Sequence, residues 1–244
     1  MGRLILLLLP LLATPPAAAC PGLAPFTARY AVIKSGFTLG HAQRRFTPGA
    51  GRDASLVSTT RAARGLRWLI PDRIVERSRV RCDGGLRPLA YRYDRQGGRK
   101  EEHYALDFDW RAGVVYYRHD GRQYPLVPDT HDLLSFQLAL MRGLKDGRRR
   151  FTWHIMLKDG PRRYHLHRAG TEVMTFSHGP VEVVRVVQEG GRDGEQFTFW
   201  CAPALDYVPL RIVQRKRGRV TELRLERLNG REFVPLEEDE DEGD

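Results

Sequence analysis

Three small groups of side chains have the types and spacing for chemistry. His165 and His167 flank Leu166, so on a strand they share one face and could present two imidazoles to a metal ion. No third ligand stands at a fixed spacing from them, since His154 and His178 lie elsewhere in the chain. The pair therefore reads as solvent-facing on an outer strand face. Asp107 and Asp109 also share a face and have the chemistry of a cation site or an acid–base pair. With Arg73, Arg77 and Arg79 in the same sheet, cross-strand ion pairing is their expected use. Cys20, Cys82 and Cys201 are too scattered for a redox Cys-x-x-Cys. The chain also lacks a Gly-x-Ser-x-Gly elbow, a His-Glu-x-x-His, a phosphate loop and a dinucleotide fingerprint. The sequence thus names no catalytic residue, no metal site and no cofactor, and the expectation leans towards a non-enzymatic protein.

The first residues explain the compartment in which any site would work. Arg3, the apolar run Leu4–Leu12 and Ala17-Ala18-Ala19 have the three-part pattern of a secretory signal, residues 1–19. The apolar run is shorter than the ~18 residues of a membrane span, and no later stretch approaches that length. The expected destination is the periplasm of a Gram-negative bacterium. Cys20 follows the three alanines and is a candidate for lipidation, which would make an outer-membrane lipoprotein. Ala17 stands where a lipid-modified cysteine has a leucine-like residue, which favours simple cleavage. Cys82 shares strand parity with Ile74 and Val80, and Cys201 shares it with Phe197 and Phe199. Both point to apolar faces, as a bridge between two strands requires and as two separate buried thiols also allow.

Charge is unevenly placed. The net charge is +10, yet residues 237–244 hold seven acids and no base, so the preceding body is more basic than the whole. That tail reads as solvated and disordered. Residues 20–236 carry no Pro/Gly/Ser-rich linker and no repeat, which predicts one domain. Export argues against nucleic acid as a partner. Anionic lipid head groups or an acidic envelope protein fit the basic body, with membrane contact through a lipidated Cys20 or through peripheral docking.

These residues need a sheet to position them. Phe26–Lys34, Phe37–Phe46 and Ser55–Arg61 read as three strands, the last polar and near an edge. Leu66–Ile70 forms an apolar plug or lip. Arg73–Cys82 alternates Ile74, Glu76, Ser78, Val80 and Cys82 with Arg73, Val75, Arg77, Arg79 and Arg81, so four arginines make a basic stripe. Tyr104, Leu106, Phe108 and Trp110 alternate with His103, Ala105, Asp107 and Asp109 in a half-buried strand. From Asp132 to Leu144 the period becomes helical, with Asp129 or Thr130 available as cap. Strands then resume, with Arg163–Arg168 and Thr171–Ser177 read as separate elements. The chain closes in a hairpin whose turn is Lys216-Arg217-Gly218-Arg219. The fold class is mainly all-β: a strongly curved antiparallel sheet or half-open barrel of roughly a dozen strands with one inserted helix.

Gly85–Tyr93, Leu106–Trp110, the Leu134–Leu140 helix and Trp200-Cys201-Ala202-Pro203-Ala204-Leu205-Asp206-Tyr207-Val208-Pro209-Leu210-Arg211-Ile212 resemble an uncharacterised bacterial family, domain of unknown function 3108. The resemblance spans about residues 26–228. It implies export and a half-open barrel similar to the lipoprotein carriers of the periplasm, and it brings no activity or catalytic residue. The expected function is binding of an apolar or amphipathic, lipid-like molecule by the curved sheet, with the helix as lid or plug. Tyr104, Phe108, Trp110, Trp153 and Phe199 are the candidate lining, of either a cavity or a filled core. The alternative is an assembly module that docks Arg73, Arg77, Arg79 and Arg81, or the apolar lip, on a protein or anionic surface.

Overall fold

The computed structural model describes residues 20–49, 51–64, 73–97, 101–191 and 194–236. Residues 1–19, read above as a signal segment, the apolar 66–70 stretch and the acidic tail lie outside the described residues. The first half of the chain forms β1 (Phe26–Lys34), β2 (Phe37–Pro48), β3 (Asp53–Ala62), β4 (Arg73–Arg81), β5 (Arg87–Gln96), β6 (Glu102–Asp109), β7 (Val114–Tyr117), β8 (Gln123–Pro125) and β9 (Thr130–His131). Helix α1 (Ser135–Lys145) follows. The second half forms β10 (Arg150–Leu157), β11 (Gly160–Phe176), β12 (Gly179–Glu189), β13 (Gln196–Ala202), β14 (Val208–Lys216), β15 (Arg219–Leu228) and β16 (Arg231–Glu232).

All sixteen strands belong to one sheet, ordered β8-β7-β6-β5-β4-β3-β2-β1-β15-β14-β13-β12-β11-β10-β9, with β16 beside β15. Two meanders, antiparallel apart from the short parallel β9–β10 pair, are joined at their roots by the antiparallel β1–β15 pair, which matches Ala28 with Leu228 and Lys34 with Thr221. The edge strands β8 and β9 are near neighbours in sequence, so the sheet must curl to bring them round. Side chains, not a ladder, span the gap. Tyr117 Oη donates to Leu157 O at 2.8 Å, Arg122 Nη2 donates to Lys158 O at 2.8 Å, and Lys158 Nζ meets Glu102 at 2.6 Å. The result is a large, open, curved sheet with barrel-like form.

Alternation fixes which face is inside. Tyr104, Leu106 and Phe108 of β6 are buried, while His103 and Asp109 are exposed. On β4, Ser78 and Val80 are buried between exposed arginines. The closing hairpin turns at Arg217-Gly218, both at positive φ, as a two-residue turn with the twist of a hairpin requires. β3 lies between β2 and β4 rather than at an edge; Ala54, Leu56 and Ser58 are small or apolar enough to face the interior there. Residues 160–176 form one long strand, not two. A bulge between Arg168 and Gly170, with Gly170 at φ 155°, absorbs the irregularity without ending the ladder.

Helix α1 is a plug. Phe136, Leu138, Leu140, Met141 and Leu144 are buried, and each such side chain contributes about 1.5–3 kcal/mol. Leu138 and Met141 join the cluster of Leu106, Tyr117 and Val80, whereas Phe136 and Leu140 join that of Trp153, Tyr164 and Phe199. Gly143 lets the helix approach β10, since an added Cβ would come within 2.6 Å of Phe151 Cε1. The cap is Asp132, not Asp129 or Thr130. Its Oδ1 accepts the N–H groups of Leu134 and Ser135 at 2.8 Å each, and Ser135 Oγ accepts the Asp132 N–H at 2.9 Å. This is a reciprocal capping box. Asp132 Oδ2 also accepts Ser78 Oγ–H at 2.7 Å, fastening the helix start to β4.

The disulfide joins Cys20 to Cys82, correcting the Cys82–Cys201 pairing; Cys201 is free and buried. Parity placed both sulfurs inside, but Cys201 lies on β13, six places from β4 in the strand order, while Cys20 precedes β1 and reaches the end of β4. The bridge uses the sulfur that lipidation at Cys20 would need, so one sulfur cannot serve both.

Candidate functional site

An open, mainly apolar pocket of about 190 Å³ lies beside the plug. Leu133, Leu134 and Phe136 at the start of α1 form one wall, and Phe197, Phe199, Ile212 and Leu223 of β13–β15 form the other. Arg44 of β2, Glu76 of β4 and Gln137 of α1 close it with polar groups. Each polar residue reaches the interior through ordinary strand alternation. Arg44 falls between the buried Ala42 and Phe46, and Glu76 has the same parity as Ser78 and Val80.

Arg44 is 8% exposed. Its Nη1 donates to Gln137 Oε1 at 2.6 Å, and its guanidinium lies 5.2 Å from the centre of the Tyr30 ring. Burial pushes the Tyr30 hydroxyl up to about 12, against the pull of the Arg44 charge. Gln137 Nε2 in turn donates to Leu133 O at 2.9 Å. Glu76 accepts Tyr91 Oη–H at 2.6 Å. Burial holds the Glu76 carboxyl above its usual range, with the Tyr91 hydrogen bond and Arg44 opposing. The pocket therefore offers apolar walls, one buried cation and one carboxyl.

Of the five aromatics expected to line a cavity, only Phe199 reaches this one. Tyr104 stacks on Tyr93 with ring centres 4.9 Å apart, and Trp153 packs on Phe151 at 5.0 Å and on Phe136. Phe108 and Trp110 border a second, larger hollow of about 680 Å³ along β4–β7. There Trp110 Nε1 donates to Pro88 O at 2.7 Å, and Arg87 sits 5.5 Å from the centre of its ring. Sequence reasoning missed Arg44, Glu76 and Gln137. The signal was present for the first two, as charges at inward positions of otherwise apolar strand faces.

The second hollow is a basic groove. Arg79 and Arg81 of the predicted stripe enter it and meet Arg87, Arg92, Arg111 and Arg118; Arg73 and Arg77 do not line it. Asp83, Asp107 and Asp109 are its acids. Asp107 pairs with Arg92 and Arg118 at 2.6 Å each, not with Arg73, Arg77 or Arg79. Burial pushes its carboxyl up, but the hydrogen bonds from Arg118 and Arg92 outweigh that and lower it. Asp109 accepts the N–H groups of Arg111 and Ala112, so it holds a turn. Arg81 pairs with Asp53 at 2.8 Å. His165 contacts Thr152 Oγ1 at 3.1 Å and His167 lies 2.8 Å from the Glu189 carboxylate. Among the described residues no three His, Cys, Asp or Glu side chains converge as a metal site would require.

A curved sheet wrapped round a single plug helix, with a small amphipathic pocket and a basic outer groove, defines a barrel-like β protein. The chain belongs to the family described as "Protein of unknown function (DUF3108)", whose model matches residues 25–223. The crystal structure of a beta-barrel-like protein of domain of unknown function DUF1849 from Brucella abortus is similar in fold, with a TM-score of 0.54 at 12% identity, covering 84% of this chain and 96% of that one. No curated protein matches the chain.

Proposed function

We propose that this is an exported, periplasmic, non-enzymatic protein that binds an apolar or amphipathic, lipid-like molecule between α1 and strands β13–β15. The observation that carries this reading is the open pocket walled by Leu133, Phe136, Phe197, Phe199, Ile212 and Leu223. Small-molecule sites are concave, mostly apolar and oriented by a few polar groups, which is the composition here. Export is supported by the signal pattern of residues 1–19 and by a disulfide, which persists in oxidising compartments. With Cys20 in that bridge, membrane contact falls to peripheral docking. Native mass spectrometry tests the reading on protein exported by its own signal and purified gently from the envelope. A discrete added mass, released by denaturation and extracted as lipid, is expected. Repeated preparations of bare chain starting at residue 20 would sink it.

A second reading rests on the basic groove, where six guanidiniums face three carboxylates. We propose that this groove docks the protein on an anionic membrane surface. The protein should float with vesicles containing phosphatidylglycerol and not with pure phosphatidylcholine, and an Arg87→Glu/Arg111→Glu variant should stay behind. Equal flotation with both lipids, or an unaffected variant, removes this reading. An acidic envelope protein would engage the same charges without any vesicle response.

A further inference from the structure

We infer that the ligand of the amphipathic pocket carries a single carboxylate and that Arg44 receives it. This rests on the reading of that pocket as a ligand site and adds the ligand's chemical class. A guanidinium removed from water is costly unless a counter-charge and hydrogen bonds replace the lost solvation. Arg44 is 8% exposed, yet its one hydrogen bond within the described residues goes to the neutral Gln137. Its Nε is buried without a hydrogen-bond partner, and no ion pair within 4.0 Å engages it among the described residues. The sheet therefore places a buried cation without a salt-bridge partner, eased only by the Tyr30 ring and the field of Glu76, at the polar end of a mainly apolar pocket.

The shape of the missing partner follows from the same residues. A guanidinium presents a planar fork of N–H donors that matches a carboxylate with two parallel hydrogen bonds. Gln137 projects from the first turn of α1 and occupies only Nη1, so an incoming carboxylate displaces one neutral contact and no ion pair. Glu76 also borders the pocket and is engaged by Tyr91 rather than by Arg44. Arg44 is the one cation among the lining residues, so a second negative charge on the ligand would find no partner, which selects a monoanion over a phosphate dianion. The apolar walls of Phe197, Phe199 and Leu223 take the alkyl chain, and the volume of about 190 Å³ suits a short one. A carboxylate-tailed small amphiphile is the chemistry that satisfies all of these groups.

Calorimetric titration of the delipidated, full mature chain with octanoate and with 1-octanol at neutral pH tests this. Octanoate should bind more tightly by about tenfold or more, the scale of one charge-assisted hydrogen bond in a dry site. In Arg44→Gln that preference should vanish while octanol binding is retained, and Arg44→Lys should keep part of it. The wild-type comparison needs no variant, so it stands even if Arg44→Gln fails to fold. Equal binding of the two probes, or a preference that survives Arg44→Gln, overturns the inference and leaves the pocket reading intact. Binding of neither probe overturns the pocket reading and the inference with it.

Discussion

Cys82→Ser should lower the free energy of unfolding by about 4 kcal/mol, and reduction of the wild-type protein should do the same. The bridge to Cys20 closes a span of 62 residues, and in the chain-entropy account a loop of that size restricts the unfolded ensemble by about that amount. Both sulfurs are also buried, so the serine leaves a polar hydroxyl in an apolar place. Cys201→Ser supplies the contrast. Burial pushes the Cys201 thiol up, so it is unreactive while the protein is folded, and it contributes only its own packing. Urea melts with and without a reducing agent, alongside a count of thiols reactive before and after unfolding, check this. Unchanged midpoints for Cys82→Ser, or two thiols freed by unfolding alone in Cys201→Ser, would contradict the Cys20–Cys82 pairing.

Asp132→Ala should cost about 3 kcal/mol, combining a lost helix cap with buried donors left unmatched. The carboxylate serves Leu134 N–H, Ser135 N–H and Ser78 Oγ–H at once, so its removal detaches the plug from β4 as well as uncapping it. Asp132→Asn keeps the accepting oxygen and lets Ser78 turn to accept, and it should cost far less. The pH dependence separates charge from geometry. Burial holds the Asp132 carboxyl above its usual range, with hydrogen bonds from Ser135, Ser78 and Leu134 opposing. A raised acid binds its proton more tightly in the folded chain. Its contribution to stability is therefore full below the ordinary aspartate range and is lost as pH rises through the raised folded value. Unfolding free energies measured across that window should fall more steeply with pH in the wild type than in Asp132→Asn. Parallel slopes would show that the group ionises in the folded protein as it does in the unfolded one.

Local chemistry made much of this fold legible. Alternation in Tyr104–Trp110, the helical spacing of Leu134, Leu138 and Met141, and the Arg217-Gly218 turn each depend on residues within a few positions of one another. What the sequence concealed depends on distant pairing. Ser58, Thr59 and Thr60 look like an edge, yet β3 is interior because β2 and β4 supply the flanking ladders. Parity showed that Cys82 points inward but carries no distance, so Cys201 and Cys20 could not be ranked. The site was harder still. Inward aromatics look alike in a filled core and in a cavity, and Tyr104, Phe108, Trp153 and Phe199 are all buried although Phe108 and Phe199 also border hollows. Arg44 between Ala42 and Phe46, by contrast, broke its local pattern and could have been found.

The pairing of β1 with β15 sets the order in which the molecule can be assembled. Each meander can zip by successive short hairpin closures as a nascent chain lengthens. The seam between them joins residues 28–34 to residues 221–228 and must wait for nearly the whole polypeptide. Until then β1 has only β2 as a neighbour, and its other edge offers free N–H and C=O groups to any strand that passes. Contacts of such large sequence separation slow the search for the native state, so the last event in folding is also the one most open to capture by another chain.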